Sequence, residues 1–267
     1  MKRCRVLPGE RVRLAEIDPD STPGFGGVKD DGHRELNKLT TRLEKLQELL
    51  YAEHKHSVLV VLQGMDTAGK DGTIRRVFAG VNPQGVRVAS FRIPSVHERD
   101  HDFLWRVHEQ VPGRGEMVLF NRSHYEDVLI PRVHGIISKA IWERRYGEIN
   151  EFERILTEEG TTVLKFFLHI SRGEQKLRLR ARLDDPTKHW KFAEADLQER
   201  DLWTAYMRAY EEALSKTSTS WAPWYVVPSN RKWFRDMFVS ERIVTTLQGF
   251  RMRYPALLPQ LRAARIR

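Results

Sequence analysis

A glycine-rich segment at residues 64–70 carries the residue types that bind phosphate. It reads GMDTAGK and follows the apolar run VLVVL, and a helical pattern begins near Asp71. A strand, a glycine-rich turn and a helix N-terminus direct backbone N–H groups and the positive end of the helix dipole at one point. Gly64 and Gly69 permit backbone conformations that a Cβ would block, and Lys70 can neutralise phosphate oxygens. The segment therefore predicts a phosphate site.

Two carboxylates set this loop apart from the common nucleotide-binding pattern G-x-x-x-x-G-K-[ST]. Asp71 stands where that pattern has a Mg²⁺-binding serine or threonine, and Asp66 lies inside the loop. A carboxylate among phosphates is tolerable when a divalent cation sits beside it, which makes Asp66 a candidate metal ligand. The predicted phosphate-binding residues of the loop and the first helical turn are Gly64, Ala68, Gly69, Lys70, Asp71, Gly72 and Thr73. The alternative is a glycine-rich turn between strand and helix without a ligand.

A second polar cluster, at residues 121–127, follows the apolar run MVLF. Arg122 carries a planar guanidinium group that can bind two phosphate oxygens at once. Asn121 is an amide at a position where a P-loop protein often has a Mg²⁺-organising aspartate, so we expect little metal binding from it. Asp127 is therefore the better partner for Asp66 in a site whose remaining ligands are phosphate and water.

Three roles are open for Glu126 in this cluster. Its carboxylate could bind a metal ion indirectly, orient the phosphoryl acceptor, or form a salt bridge with a nearby arginine. The neighbouring His124 and Tyr125 are expected to pack or to hydrogen-bond structurally rather than to act on a substrate. The predicted catalytic residues are Asp66, Lys70, Arg122, Glu126 and Asp127.

A run of basic residues follows the fourth predicted strand. Its members are Arg172, Lys176, Arg178, Arg180, Arg182, Lys188 and Lys191. Because residues four apart share a face of a helix, the basic residues from 172 to 182 form two neighbouring stripes. Such a helix could close over the phosphate site, neutralise the donor and exclude water during phosphoryl transfer. The alternative is a solvated surface balanced by nearby acidic side chains.

Apolar runs and helical periodicities alternate along the chain. Strands are predicted at residues 58–62, 86–93, 117–120, 161–170 and 223–228. Helices are predicted at residues 33–53, from 71 onward, and at 101–110, 138–159, 174–183, 187–216 and 231–253. This alternation implies right-handed crossovers and a parallel sheet with helices on both faces. Ligands of such α/β folds bind at the carboxyl ends of the strands, so the segments 64–70, 121–127 and 171–172 should converge.

Composition limits the class of protein. The chain has 267 residues, a single cysteine and a formal net charge of +9. That length suits one large domain, one cysteine excludes intramolecular disulfides, and the positive charge favours an anionic partner. No signal-peptide pattern opens the sequence, and no run of about 18 apolar residues predicts a membrane span. We therefore expect a cytoplasmic protein with an irregular arm, residues 1–32, and a single domain, residues 33–267.

Four segments together resemble the polyphosphate kinase 2 family. They are GMDTAGKDGTIR at 64–75, FNRSHYEDVL at 120–129, RARLDDPTKHWKF at 180–192 and APWYVVPSNRKWFRD at 222–236. The resemblance extends over residues from about 33 to 250. It implies a P-loop kinase-like three-layer fold with a five-stranded parallel sheet and a helical lid at about residues 172–200. The implied activity is reversible, Mg²⁺-dependent phosphoryl transfer between inorganic polyphosphate and nucleotides.

The same resemblance suggests roles for individual residues. The matched positions are the phosphate-loop residues Asp66, Lys70 and Asp71, the phosphate-gripping Arg122, and the lid residues Arg178 and Arg182. Most members have aspartate and asparagine where this chain has Asn121 and Glu126, and the departure resembles the class that accepts both AMP and ADP. The implied nucleotide contacts are Asn121, Arg122 and Glu126, and the implied metal ligands are Asp66 with Asp127 or Glu126.

The resemblance also names a cofactor and partners. The cofactor is Mg²⁺, with Mn²⁺ as a substitute, and the partners are polyphosphate and adenine nucleotides, with guanine nucleotides as a further candidate. A homo-oligomer is expected, with no nucleic acid and no membrane as partner. Two alternatives compete: an ATP-dependent kinase of nucleotides or small molecules on the same fold, and a P-loop protein that binds nucleic acid through its positive charge and stacking aromatic residues.

Overall fold

A parallel sheet of five strands runs through the centre of the computed structural model, which describes residues 4–257 and 259. The strands are β1 (Ser57–Gln63), β2 (Val86–Ser90), β3 (Met117–Asn121), β4 (Thr161–His169) and β5 (Trp224–Pro228). Their order across the sheet is β2-β3-β1-β4-β5, and every neighbouring pair is parallel. The predicted α/β class with a five-stranded parallel sheet is therefore confirmed.

The register of the central strands brings the predicted site segments together. β1 lies between β3 and β4, with Leu62 opposite Asn121 and Gln63 opposite Phe167. The loops that leave β1 and β3 therefore begin side by side at the same edge of the sheet. β1 is buried along its whole length, as expected for a parallel strand covered on both faces. The predicted convergence of the segments 64–70 and 121–127 is confirmed.

Helices cover both faces of the sheet. They are α1 (Lys29–Glu53), α2 (Lys70–Val77), α3 (Val96–Arg99), α4 (Trp105–His108), α5 (Glu126–Val133), α6 (Lys139–Glu158), α7 (Arg172–Leu183), α8 (Ala195–Asp201), α9 (Trp203–Thr217) and α10 (Lys232–Gly249). α1 and α10 pack on one face, and α5, α6 and α9 pack on the other. The leucine stripe of α1 is core, because Leu36, Leu43 and Leu50 are buried. Across the described ranges, no helix is long and apolar enough to span a bilayer.

The helix α5 escapes prediction because of a proline. Pro131 lies inside this eight-residue helix and has no N–H to donate to the carbonyl of Asp127, four residues earlier. Nη1 of Arg145, on α6, donates to that carbonyl at 2.7 Å instead. A tertiary hydrogen bond thus replaces the missing bond of the helix.

Two predicted helices are broken in the structure. The span 187–216 divides into a 3₁₀ helix (Pro186–Lys191), α8 and α9, because the backbone at Phe192 is extended, with φ −100° and ψ 125°. The span 101–110 holds only the single turn α4, and a second turn, α3, precedes it behind a capping box at Ser95. The second strand is also shorter than predicted and ends at Ser90.

The N-terminal arm packs along the edge of the sheet. The N–H of Val6 donates to the carbonyl of Trp224 at 2.9 Å, and Val6, Val12 and Leu14 are buried. A 3₁₀ helix at Leu14–Glu16 lies between the start of the arm and α1. By lying against β5, the arm shields an edge strand that would otherwise expose unpaired backbone groups. α1 begins at Lys29, four residues before the predicted start at residue 33.

Candidate active site

The phosphate loop turns sharply between β1 and α2. Gly64 has a φ of +150° and Gly69 a φ of +109°, both in the region that favours glycine. A Cβ at Gly69 would lie 1.8 Å from Nη1 of Arg235, so no other residue fits there without displacing a buried guanidinium group. α2 begins immediately afterwards, at Lys70. The predicted sequence of strand, glycine-rich turn and helix N-terminus is therefore present.

Lys70 is folded back into its own loop. Its Nζ donates to the carbonyl of Gly64 at 2.6 Å and to that of Met65 at 3.3 Å. The side chain is buried, and burial lowers the pKa of Lys70 below its ordinary value. An ammonium group has three N–H donors, so two carbonyl bonds leave one donor for a phosphate oxygen.

Arg122 joins the two site segments. Its Nη2 lies 2.7 Å from Oδ1 of Asp66, and its Nη1 lies 3.4 Å from Oε2 of Glu126. Its backbone N–H donates to the carbonyl of Leu62, on β1, and its φ of +64° is left-handed. Burial opposes the charged form, but the carboxylates of Glu126 and Asp66 prevail and raise the pKa of Arg122. The arginine is held charged between an acidic residue of each segment.

Three roles were open for Glu126, and the structure shows one of them, the salt bridge with an arginine, which is Arg122. Burial raises the pKa of the Glu126 carboxyl, while the positive charges of Arg122 and Lys70 act against that shift. The carboxyl group of Glu126 is therefore close enough to Lys70 to interact with its positive charge. Its roles toward a metal ion or an acceptor stay predictions.

Asp127, the predicted carboxylate partner of Asp66, pairs with an arginine of another segment, and its role toward a metal ion stays a prediction. Its Oδ2 lies 3.1 Å from Nη2 of Arg106, and both of these side chains are nearly buried. Burial raises the pKa of Asp127, against the effect of Arg106. The aspartate is directed at the segment that follows β2, which sequence periodicity could not indicate. Glu126 is the acidic residue that shares a partner with Asp66.

Asp71 links the loop to the lid. One carboxylate oxygen accepts from Nδ2 of Asn121 at 2.9 Å, and the other lies 3.1 Å from Nζ of Lys191, in the 3₁₀ helix after α7. Burial acts to raise the pKa of Asp71, but these two bonds outweigh it and lower the pKa below its ordinary value. The residue that replaces the usual serine or threonine thus contacts the predicted lid. Its predicted contact with phosphate remains a prediction.

The two predicted lid contacts have different environments from those expected. Arg178 donates from Nε to Glu174, from Nη1 to the carbonyls of Thr67 and Ala68, and from Nη2 to those of Ser229 and Asn230. Those five acceptors match its five N–H donors, so Arg178 braces the phosphate loop, and its predicted contact with phosphate stays a prediction.

Arg182 connects three segments of the predicted lid to one another. Its Nη1 donates to the carbonyl of Lys191 at 3.1 Å and to Oδ2 of Asp196, on α8, at 3.4 Å. These contacts fold the 3₁₀ helix and α8 against α7. Arg182 therefore fixes the position of Lys191, which reaches Asp71.

Thr73 does not turn its hydroxyl group toward the cleft. Its Oγ1 donates to Oδ1 of Asp236 at 3.1 Å, and the same oxygen accepts from Nε of Arg235 at 2.8 Å. Nη1 of Arg235 in turn donates to the carbonyl of Ala68 at 3.2 Å. Arg235 and Asp236, on α10, are site-building residues that sequence analysis missed. The only signal for them was their place at the end of the segment 222–236.

Hard oxygen donors are available for a metal ion, although protein ligands are few. Within residues 4–257 and 259, no group of three or more His, Cys, Asp or Glu side chains is close enough to hold a metal ion alone. Asp66 and Glu126 lie on either side of one arginine at the mouth of the phosphate loop. Mg²⁺ keeps water and substrate phosphates in its coordination sphere and needs only one or two carboxylates, so this donor set fits that ion.

Comparison with known proteins identifies the relatives of this chain. A relative from Meiothermus ruber, named AMP/ADP-polyphosphate phosphotransferase, is 58% identical over 96% of both chains. A relative from Rhodopseudomonas palustris, named ADP-polyphosphate phosphotransferase, is 45% identical over 98% of this chain and 94% of its own length. The crystal structure of polyphosphate kinase 2 from Arthrobacter aurescens superposes with a TM-score of 0.93, at 48% identity, over 98% of this chain and 94% of that one. Residues 27–254 match the family model polyphosphate kinase 2, and the chain belongs to that family.

Proposed function

We propose that this chain transfers phosphoryl groups reversibly between inorganic polyphosphate and nucleotides, converting AMP to ADP and ADP to ATP. The observation that carries the proposal is the bridge of Arg122 between Asp66 and Glu126, beside Lys70. It sets two cations and two carboxylates at the adjoining ends of two parallel strands. The similarity to the Meiothermus ruber protein, named for both AMP and ADP, supports the choice of acceptors.

Phosphoryl transfer depends mainly on positioning and on neutralising charge. In the proposed reaction, backbone N–H groups of the loop and the free N–H of Lys70 bind the terminal phosphates of one substrate. The guanidinium group of Arg122 holds the phosphate of the other, with Asp66 and Glu126 fixing its plane. A covalent intermediate on the enzyme is not needed, because the two substrates can meet in line across this arginine.

Magnesium is the proposed cofactor, with manganese as a substitute. When bound, the divalent ion neutralises phosphate charge and draws the two chains of phosphates together. Asp66 would hold it, and Glu126 is placed to act as the second carboxylate. Asp127, which pairs with Arg106, is the other candidate for the second carboxylate.

Glu126 is also the residue proposed to broaden acceptor choice. AMP is shorter than ADP by one phosphate, so its α-phosphate must reach the place where ADP presents its β-phosphate. A partly buried carboxylate beside Arg122 and Lys70 could draw a second cation or ordered water into the space that the absent phosphate leaves. Guanine nucleotides stay a further candidate, since the adjoining strand ends recognise phosphate and not the base.

The lid has a proposed part in excluding water. Lys191 reaches Asp71, and Arg182 holds Lys191 in place. Hydrolysis competes with transfer whenever water reaches the phosphoryl group, so closure over the loop favours the nucleotide product. The exposed basic residues Lys176 and Arg180, on α7, are available to a polyanion that extends out of the cleft.

The decisive measurement is an incubation of the purified protein with polyphosphate, Mg²⁺ and AMP, followed by chromatography of nucleotides. ADP should appear first and ATP second. A parallel incubation with ATP in place of polyphosphate and a panel of small-molecule acceptors separates the ATP-dependent alternative. Turnover only with ATP contradicts the proposal, and so does salt-sensitive binding of nucleic acid without any turnover. Light scattering of the same sample measures whether it forms the expected homo-oligomer.

A further inference from the structure

A buried polar network lies behind the turn that carries Arg122. Its centre is Lys165, in the middle of β4, which is fully buried together with Glu153 of α6. Nζ of Lys165 lies 2.5 Å from Oε2 of Glu153, 2.9 Å from the hydroxyl of Tyr125 and 2.7 Å from the carbonyl of Thr217. An ammonium group has three donors, so this lysine is fully satisfied. The network joins a strand, two helices and the loop after β3.

The loop is held by the other oxygen of the same carboxylate. Oε1 of Glu153 accepts from the hydroxyl of Tyr125 at 2.8 Å and lies 3.2 Å from Nε2 of His124. These two residues stand between Arg122 and Glu126 in the chain. The expectation that His124 and Tyr125 hydrogen-bond structurally is thus confirmed. Their bonds fix the middle of the segment that carries the site arginine and glutamate.

The backbone of Arg122 needs such support. Its φ of +64° is left-handed, a conformation that costs on the order of 1–3 kcal/mol outside glycine and persists only when its surroundings enforce it. On one side, the N–H of Arg122 is fixed to the carbonyl of Leu62. On the other side, Oγ of Ser123 accepts from Nε2 of Gln63, on β1, at 3.1 Å, and the side chains of His124 and Tyr125 bind Glu153.

We propose that Lys165 and Glu153 are positioning residues that set the direction of Arg122 and Glu126 through His124 and Tyr125. This inference rests on the proposed function, because it concerns the geometry of phosphoryl transfer. Neither Lys165 nor Glu153 touches a substrate. They act by holding the loop in the one conformation in which the guanidinium group faces Asp66.

A purely stabilising role explains the network poorly. Removing two charges from water is costly, and apolar residues of similar volume often serve stability as well or better. Lys165 occupies a position in β4 whose neighbours Leu164 and Phe166 are both apolar and buried. The lysine there also faces the rings of Tyr125 and Trp224, with Nζ at 5.4 and 5.1 Å from their centroids. What an apolar replacement cannot do is hold the hydroxyl of Tyr125.

The first test removes one of the two side-chain links between the loop and the network and leaves the ion pair intact. Tyr125→Phe removes one hydroxyl, while Lys165 and Glu153 remain paired with each other. A small displacement of positioning groups can reduce a rate by up to about a hundredfold, so we expect kcat to fall between about tenfold and a hundredfold. KM should rise for the substrate whose phosphate Arg122 holds and change little for the substrate bound by the phosphate loop, because that loop is not altered.

The second test removes both charges together. The double variant Lys165→Met/Glu153→Gln leaves no unpaired buried charge, so it should fold even where Lys165→Met alone does not. We expect a kcat loss like that of Tyr125→Phe at equal folded fraction, measured by urea unfolding. The matched control is Ile149→Ala, a buried residue of α6 outside the network. It should lower stability and keep kcat per folded molecule.

Several outcomes overturn the inference. Unchanged kcat in Tyr125→Phe and in the double variant, or an equal loss in Ile149→Ala, leaves the network no positioning role. If the unaltered protein has no polyphosphate-dependent turnover, the proposed function fails instead. The positioning role of the network is then tested by the rate of amide hydrogen exchange at residues 122–126. Faster exchange in Tyr125→Phe than in the unaltered protein supports it, and equal exchange contradicts it.

Discussion

Nη2 of Arg122 lies 2.7 Å from Oδ1 of Asp66, and this contact joins the segment after β3 to the loop after β1. The two residues are 56 positions apart in the chain, and the parallel register of β1 and β3 is what brings them together. The ion pair therefore forms only when the two strands are paired in this register. It also holds a guanidinium group next to the lysine that the loop supplies.

Lys70→Ala should abolish turnover in both directions while the protein remains folded. The change removes the ammonium group that neutralises developing charge, and loss of one such group costs about a hundredfold or more. Forward and reverse rates are measured with AMP and polyphosphate and with ATP, and folding by circular dichroism. Lys45→Ala, at an exposed position of α1, is the matched control. Turnover like that of the unaltered protein would remove Lys70 from the mechanism.

Glu126→Asn should change the two acceptors unequally. If the carboxylate fills the place of a missing phosphate, AMP loses more activity than ADP, because only AMP leaves that place empty. The ratio of kcat/KM for AMP to that for ADP is the quantity to measure. Equal losses on both acceptors contradict a role in acceptor choice and leave Glu126 as the salt-bridge partner of Arg122.

Gly69→Ala should destabilise the protein and disable the phosphate loop. The residue has a φ of +109°, and an added Cβ would meet Arg235 at 1.8 Å. Strain of this kind costs about 1–3 kcal/mol, before any displacement of the arginine. Gly72→Ala is the matched control, since its added Cβ has Arg235 as its nearest neighbour at 3.4 Å and lies within a helix. Equal urea midpoints for the two variants would argue against the strain.

Acid should loosen the 3₁₀ helix of the lid. The ion pair with Lys188 and bonds from Thr187 lower the pKa of Asp185 to about 2. A depressed carboxyl pKa adds stability that is present above the unfolded value, near 4, and is lost as pH falls toward 2. The stability difference between the unaltered protein and Asp185→Asn should be constant above about pH 5 and shrink below it. Carboxyl NMR gives the pKa directly, and a normal value would refute this assignment.

Local patterns in the sequence were sufficient to predict which two segments form the site. The loop around Lys70 and the cluster around Arg122 each combine an apolar strand with polar residues at its end, so their meeting at one edge followed from the rule for parallel sheets. Helices and strands were found wherever periodicity was long. Their ends shifted by a few residues, as at Lys29 of α1, because capping contacts decide them.

Several contacts around the site are encoded by no local pattern. Arg178 has the spacing of a lid residue, yet the carbonyls of the phosphate loop and of the turn after β5 take up its donors. Asp127 has the spacing of a metal ligand, yet Arg106 lies against it. The helix with Pro131 forms because Arg145, on another helix, supplies the missing donor. In each case a contact between an arginine and a residue elsewhere in the chain decides the outcome.

The bracing of the phosphate loop by Arg178 has a consequence for substrate capture. With Thr67 and Ala68 tied to Ser229 and Asn230 through one side chain, the cradle is shaped before any phosphate arrives. Little conformational entropy is then lost in the loop on binding, and preorganisation of this kind strengthens affinity without adding a contact. The ordering that remains on binding then falls on exposed basic side chains of α7, such as Lys176 and Arg180.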